Sequence, residues 1–262
     1  MPLPHSPEYV DAAGKDGKYR WRTLDFVEPR MDAHDWIAHF VRIFRSRKFK
    51  LIFDRRSDYT LVSIQNLFYG LEIMGIGISY SHRDFALEIL RFFKPIRQLM
   101  IIGVKFYPDD MQELEGYIHQ NLEYFKLEDS FELGINRLLA MDSKIIELWG
   151  SKMRSSDLNT FIRRWIAGTT NRNLEALTIM FDMTRTYLRP SPLSDNYQQD
   201  ILQNIRCSVV GTELSAPINS LLWAEVDRIV EQYEIQGVDK RKATIQFDVK
   251  GVEMRFKFVV GK

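Results

Sequence analysis

Cysteine is all but missing. Cys207 is the only one in 262 residues, which excludes an intramolecular disulfide framework and any metal site built on several thiolates. An excess of one charge is missing too. The 36 Lys and Arg stand against 35 Asp and Glu, a net charge of +1. A chain so balanced is not dominated by attraction to nucleic acid or to an acidic membrane surface. No apolar run approaches the ~20 residues needed to span a bilayer. Histidine is sparse, and His34 and His39 stand five positions apart, off one helix face, so they do not make a metal pair.

Catalytic signatures are equally thin. His82-Arg83-Asp84 copies the kinase catalytic-loop triplet, but Ile89 stands where that loop needs asparagine, and no glycine-rich phosphate loop accompanies it. Gly75-Ile76-Gly77 supplies two glycines of a dinucleotide fingerprint and lacks the third. No serine sits in a nucleophile elbow, and Cys207 has no readable base partner. The chain is therefore read as a non-enzyme, with no cofactor and no metal.

What the chain does have is repetition. An apolar-x-x-apolar-x-apolar pattern recurs at Leu71–Ile76, Ile96–Ile101, Leu122–Leu127, Ile145–Gly150 and Leu174–Ile179. The fourth positions, 74, 99, 125, 148 and 177, are spaced by 25, 26, 23 and 29 residues. Between these strand-like segments lie amphipathic helical stretches: Trp36, Phe40 and Ile43; Phe85, Ile89 and Phe92; Met111, Leu114 and Ile118; Leu158, Phe161 and Trp165. Ser81, Asp109 and Ser155 or Ser156 read as helix starts. One helix and one strand cannot hide their apolar faces alone, so stacked neighbours must build the core. The expected architecture is α/β: an irregular leucine-rich-repeat-like solenoid of helix–strand units.

Strand parity divides the side chains. With Leu99 and Ile101 inward, Gln98, Met100 and Ile102 point outward. The outward sets that follow are Tyr124, Lys126 and Glu128, then Glu147, Trp149 and Ser151, then Ala176, Thr178 and Met180. Large apolar residues on an open sheet face mark interfaces, so Met100, Lys126, Trp149 and Thr178 are the candidate partner-binding residues, expected side by side in one row. Near the C-terminus, Thr244–Val249 and Glu253–Val260 alternate around Lys250-Gly251. That is a β-hairpin, expected to cap the open end of the repeats. Arg189–Asn196 reads as a loop, and Ser220–Val226 is ambiguous.

Two segments carry a family likeness. Asp157-Leu158-Asn159-Thr160-Phe161-Ile162-Arg163-Arg164-Trp165-Ile166-Ala167-Gly168, followed by Asn173-Leu174-Glu175-Ala176-Leu177-Thr178-Ile179, resembles the signature of the nematode-type F-box-associated domain, type 2. Thr169 and Thr170 replace the serine and asparagine that follow the glycine in that family. Asp239–Ile245 resembles the closing segment, with Lys240 where glycine is usual, and Trp36, Ile37, His39, Ile43 and Phe44 resemble its opening helix. The likeness extends over residues 25–260. It implies the target-recognition part of a ubiquitin-ligase adaptor, whose F-box docks on Skp1 of the cullin complex. Residues 1–34 are too short and polar to supply that F-box. A Skp1/cullin partnership is therefore expected only where an F-box comes from elsewhere.

The expected organisation is a disordered lead-in over residues 1–24, a helix–strand repeat region over 25–185, and a C-terminal region with the hairpin over 186–262. The function so read is protein–protein recognition inside the cell, cytoplasmic or nuclear, with an unknown target protein and no membrane. The alternative is nucleic-acid binding through the basic stripe at 42–56. There Arg42, Arg45, Arg47, Lys48, Lys50, Arg55 and Arg56 face only Asp54.

Overall fold

The structure, a computed structural model, describes residues 8–11, 20–23, 32–45, 47–54, 60–93, 97–130, 133–182, 196–213, 230–250 and 253–261. These form two compact units, Met1–Phe49 with Tyr59–Ile73, and Lys50–Asp58 with Met74–Lys262. Three strands come first: β1 Glu8–Asp11, β2 Arg20–Thr23 and, after helix α1 Ala33–Phe44, β3 Lys48–Asp54. Then α2 Leu61–Leu67, β4 Glu72–Ser79, α3 Arg83–Phe92, β5 Gln98–Ile102, α4 Pro108–Ile118 and β6 Tyr124–Leu127 alternate. The alternation runs on through α5 Ile135–Ala140, β7 Ile145–Trp149, α6 Ser155–Ile166 and β8 Ala176–Asp182. The chain closes with α7 Tyr197–Leu202, β9 Ser208–Glu213, β10 Val230–Gln236, β11 Lys242–Lys250 and β12 Glu253–Val260.

In the smaller unit β1 and β2 pair antiparallel, with Val10 opposite Trp21. Both strands fall within residues 1–24, the segment expected to be a disordered lead-in. Helix α1 is fixed at its start by a reciprocal cap: the Asp35 amide donates to Asp32 Oδ1 at 2.9 Å, and the Asp32 amide donates to Asp35 Oδ2 at 3.3 Å. No residue of α1 is buried; Phe40, Ile43 and Phe44 are exposed.

The larger unit is organised by a ten-stranded mixed sheet of order β3-β4-β5-β6-β7-β8-β12-β11-β10-β9. Strands β4 to β8 are parallel and follow one another in sequence. Crossovers between parallel strands are right-handed, so a sheet grown always in one direction collects its helices on one side. The aromatic contacts agree: Phe53 of β3 meets Phe85 and Phe93 at the ends of α3, and Phe258 of β12 meets Phe161 and Trp165 of α6. On that side Ile76, Ile78, Leu99, Ile101, Phe125, Ile146, Leu148, Leu177 and Ile179 are sealed from solvent. The α4 and α6 faces are as expected, with Met111, Leu114, Ile118, Leu158, Phe161 and Trp165 all buried. The α3 face is rotated. Ala86, Leu87, Ile89 and Leu90 are buried while Phe85 and Phe92 lie at its flanks.

Register corrects the repeat frame. Leu99 and Phe125 pair with each other, but their neighbours across the sheet are Ile76 and Ile146, not Met74 and Leu148. The first and fourth repeats are therefore each two residues out of the expected phase. Because side chains alternate with a period of two, a slip of two leaves the faces unchanged.

The C-terminal hairpin forms, β11 against β12, and its second strand pairs antiparallel with β8. It extends the sheet past the last parallel strand, and β10 and β9 follow antiparallel. Residues 183–195 and 214–229, which include most of the Arg189–Asn196 loop and all of Ser220–Val226, lie outside the described residues.

Candidate functional site

The helix-free side of the parallel strands carries the expected outward set. Gln98, Met100 and Ile102, Tyr124, Lys126 and Glu128, Glu147 and Trp149, and Ala176 and Thr178 are half-buried, whereas Met180 is buried. Ser151 departs from the expectation. It lies beyond β7 and is buried, its Oγ accepting the Met153 amide at 3.2 Å. Across the strands one row runs Met100, Lys126, Glu147, Thr178, Lys257 and Gln246. Trp149 lies in the next row, opposite Met180, which pairs with Arg255. The structure thus brings Met100, Lys126 and Thr178 into one row and puts Trp149 one step along its strand.

Trp149 and Lys126 nevertheless meet. The Lys126 ammonium stands 3.7 Å from the Trp149 ring centroid and 3.5 Å from Glu128 Oε1. Cation and ring attract through the ring's quadrupole, more strongly when water is partly excluded, and the Lys126 side chain is only 12% exposed. Ser130 Oγ donates to the Trp149 carbonyl at 3.0 Å, tying the end of β7 to the turn after β6. Sequence reading placed Glu147 and Tyr124 on this face but did not name them among the partner-binding residues. Burial, with the charge and hydrogen bonding of Glu147, pushes the Tyr124 phenol up to about 12.

Two glycines let the face close up at β4. A Cβ on Gly77 would lie 3.1 Å from Met100 Cε and 3.2 Å from Ile52 Cγ1, so Met100 and Ile52 lean together over a bare backbone. The pair Gly75 and Gly77 belongs to a strand interior, not to a phosphate-binding loop. Toward the start of the parallel strands the face sinks into an open cavity of about 540 Å³. Gln98, Met100, Tyr124 and Ile145 line it together with Lys50, Glu123, Lys144 and Glu175.

The family-like block is structural. Helix α6 opens with the Arg154 amide donating to Asp157 Oδ2 at 2.8 Å, and α4 opens likewise with Tyr107 and Asp110, at 2.8 Å. The acids at the third helical position, Asp110 and Asp157, do this work, not the expected Asp109 and Ser155 or Ser156. Asn159 Nδ2 donates to the carbonyls of Ile201 and Gln203, at 2.8 and 2.9 Å, and so holds the end of α7. Gly168, at φ +67, ends α6: its amide donates to the Trp165 carbonyl at 2.9 Å, and that of Thr169 to the Arg164 carbonyl at 3.1 Å. Asn171, buried, donates from Nδ2 to the carbonyls of Leu138 and Met141, and Thr170 Oγ1 donates to the Leu139 carbonyl. These bonds satisfy the last carbonyls of α5. Glu175 faces Lys144 at 3.8 Å.

Residues 113–179 match the model of the F-box associated family. That stretch runs from within α4 to Ile179 of β8 and contains the block whose likeness the sequence had carried. The match supports a protein-interaction role in general, and the family is one of interaction domains, not of enzymes. No curated protein and no solved structure matches the chain.

The basic stripe falls partly in each unit. Arg42 closes α1, Arg45 is its C-cap, and both are exposed, as are Arg47 and Lys48. Lys50 belongs to the larger unit, and Arg55 and Arg56 lie outside the described residues. Among the described residues no group of three or more His, Cys, Asp or Glu could hold a metal ion, and no helix is long and apolar enough to cross a membrane.

Proposed function

We propose that this chain is a protein-recognition module whose contact surface is the outward face of the parallel strands, with Met100, Lys126, Trp149 and Thr178 as partner-binding residues. The reading takes the sequential helix–strand units as an irregular leucine-rich-repeat-like solenoid and the chain as the target-binding part of a ubiquitin-ligase adaptor, without catalysis of its own. Skp1 and the cullin complex join only where an F-box is supplied elsewhere. The observation that carries it is the Lys126–Trp149 stack, 3.7 Å from ammonium to ring. An aromatic anchor already fixed in place loses little conformational freedom on binding, and tryptophan is among the residues that dominate interface energetics.

The test uses the whole chain as bait in cell extract, alongside Trp149→Ala and a charge-reversed Arg45, Arg47 and Lys48 variant. A partner held by wild type and by the charge-reversed chain, but lost with Trp149→Ala, supports the reading. A partner lost only on charge reversal overturns it.

A further inference from the structure

Resting on that reading of the strand face, we infer that Ser130 is a positioning residue for it. Its buried hydroxyl fixes the backbone of Trp149 from behind, while Lys126 of the same stretch fixes the ring. The need arises from strand length. Strand β6 spans only Tyr124–Leu127, and its register with β7 ends at Leu127 opposite Leu148. Trp149 pairs with Met180 of β8 on one side. On the β6 side no strand residue stands opposite it among the described residues. The Gly150 amide donates to the Met180 carbonyl at 2.9 Å. Successive backbone groups of a strand point to alternate edges, so the Trp149 carbonyl points back toward β6. There Ser130 Oγ donates to it at 3.0 Å. The side chain replaces a ladder bond that β6 is too short to make, and a sheltered carbonyl left unpaired is costly.

The turn that carries Ser130 supports this role. Asp129 takes φ +54, a left-handed conformation that aspartate enters more readily than most side chains. It turns the chain between Glu128 and Ser130. The Ser130 carbonyl accepts the Leu133 amide at 3.0 Å, which holds the serine in place. Lys126 and Glu128 supply the other clamp, with the ammonium 3.7 Å from the ring centroid and 3.5 Å from Glu128 Oε1. One segment of chain thus holds the anchor at two points, ring and main chain. Ser130 is 1% exposed, so a partner does not reach it, and its hydroxyl acts on recognition only through Trp149. An anchor kept in its bound geometry lowers the ordering cost of binding.

The experiment makes the full chain with isotope-labelled lysine and follows the Lys126 ε-methylene signal by NMR. Protons over an aromatic ring are shielded by its ring current. The signal should therefore stand upfield in wild type and move to the ordinary lysine position in Trp149→Ala, which also identifies it. Ser130→Ala is expected to move it at least halfway to that position. It should also weaken retention of the extract protein that Trp149→Ala loses, about threefold or more. Ser130→Thr keeps the donor and is expected to restore both. Ser143→Ala is the control, because Ser143 is equally buried and its hydroxyl has no hydrogen-bond partner among the described residues. It should move neither. If Ser130→Ala loses its far-UV circular dichroism, Ser130→Cys, similar in size with a weaker donor, is read in its place and should give a smaller shift in the same direction. An unmoved Lys126 signal in the folded variant overturns the inference, as does an equal shift in Ser143→Ala. A shifted signal with retention lost only in Trp149→Ala overturns it too. A shifted signal with retention unchanged in both Ser130→Ala and Trp149→Ala would overturn the reading of the face, and the recognition role with it, but not the clamp.

Discussion

Trp165 and Trp149 are the same residue type on opposite sides of one sheet, and their environments separate their roles. Trp165 is 1% exposed and packs edge-on to Phe258 at 5.0 Å, with Arg241 over its ring at 5.2 Å. Its partner lies 93 residues away in sequence, beyond the reach of local spacing. Trp165→Ala is expected to cost ~3–5 kcal/mol, as truncation of large core aromatics does. Trp149→Ala should cost clearly less, because its ring rests on an open face. Chemical denaturation of both variants checks the pair, and equal losses would contradict the assignment of faces.

Tyr124 gives a second test at this scale. Its phenol titrates at about 12 when folded and near 10 in an unfolded chain. The folded state therefore holds the proton more tightly. The stability linked to it is fully present below about pH 10 and is lost as pH rises toward about 12. Tyr124→Phe removes that dependence, so its stability should fall less than that of wild type across this window. Parallel curves would show that Tyr124 is not held by burial and Glu147.

At the scale of elements, turns and strand phase decide how much was legible. Lys240 sits at φ +67 in the turn that joins β10 to β11, a left-handed conformation that costs an L side chain roughly 1–2 kcal/mol. The glycine usual at this position in the resembling family is thereby explained. Lys240→Gly should stabilise the chain by about 1 kcal/mol, read as a raised denaturation midpoint. A lowered midpoint would mean that the lysine side chain makes a contact worth more than the strain.

The parallel strands and helices α4 and α6 were readable because their apolar periods are long and regular. Helices α2 and α5, at 7 and 6 residues, are too short to show a period. Strand β9, with Val209 and Val210 both exposed, lacks the alternation that marks a half-buried strand. The frame error at the first and fourth repeats had a physical cause. Met74 and Leu148 are as apolar as Ile76 and Ile146, so composition alone offers two phases for the same strand, both with the same faces outward. Parity was therefore legible and pairing was not. Glu147 was placed outward but not beside Lys126 for that reason, since that pairing depends on register.

The larger unit is held by a connection the repeats do not contain. Strand β12, the last in sequence, lies between β8 and β11 and supplies Phe256 and Phe258, neither of them exposed, to the core beneath α6. Such long-range pairing closes late and slowly in folding. It also means that the block matching the F-box associated family, residues 113–179, draws Phe258 from outside itself to complete the core beneath α6. A chain ending at residue 241 should lose cooperative unfolding and expose Trp165 to fluorescence quenchers. Retention of a sharp transition would contradict the role given to β12.

The central claim is that recognition belongs to the strand face around Lys126 and Trp149. The most direct test is the affinity of a captured partner for wild type, Trp149→Ala and the charge-reversed Arg45, Arg47 and Lys48 chain, by calorimetry. The account predicts at least a tenfold loss for Trp149→Ala, about 1.4 kcal/mol or more, and little change on charge reversal. An unchanged affinity for Trp149→Ala together with a large loss on charge reversal would contradict it.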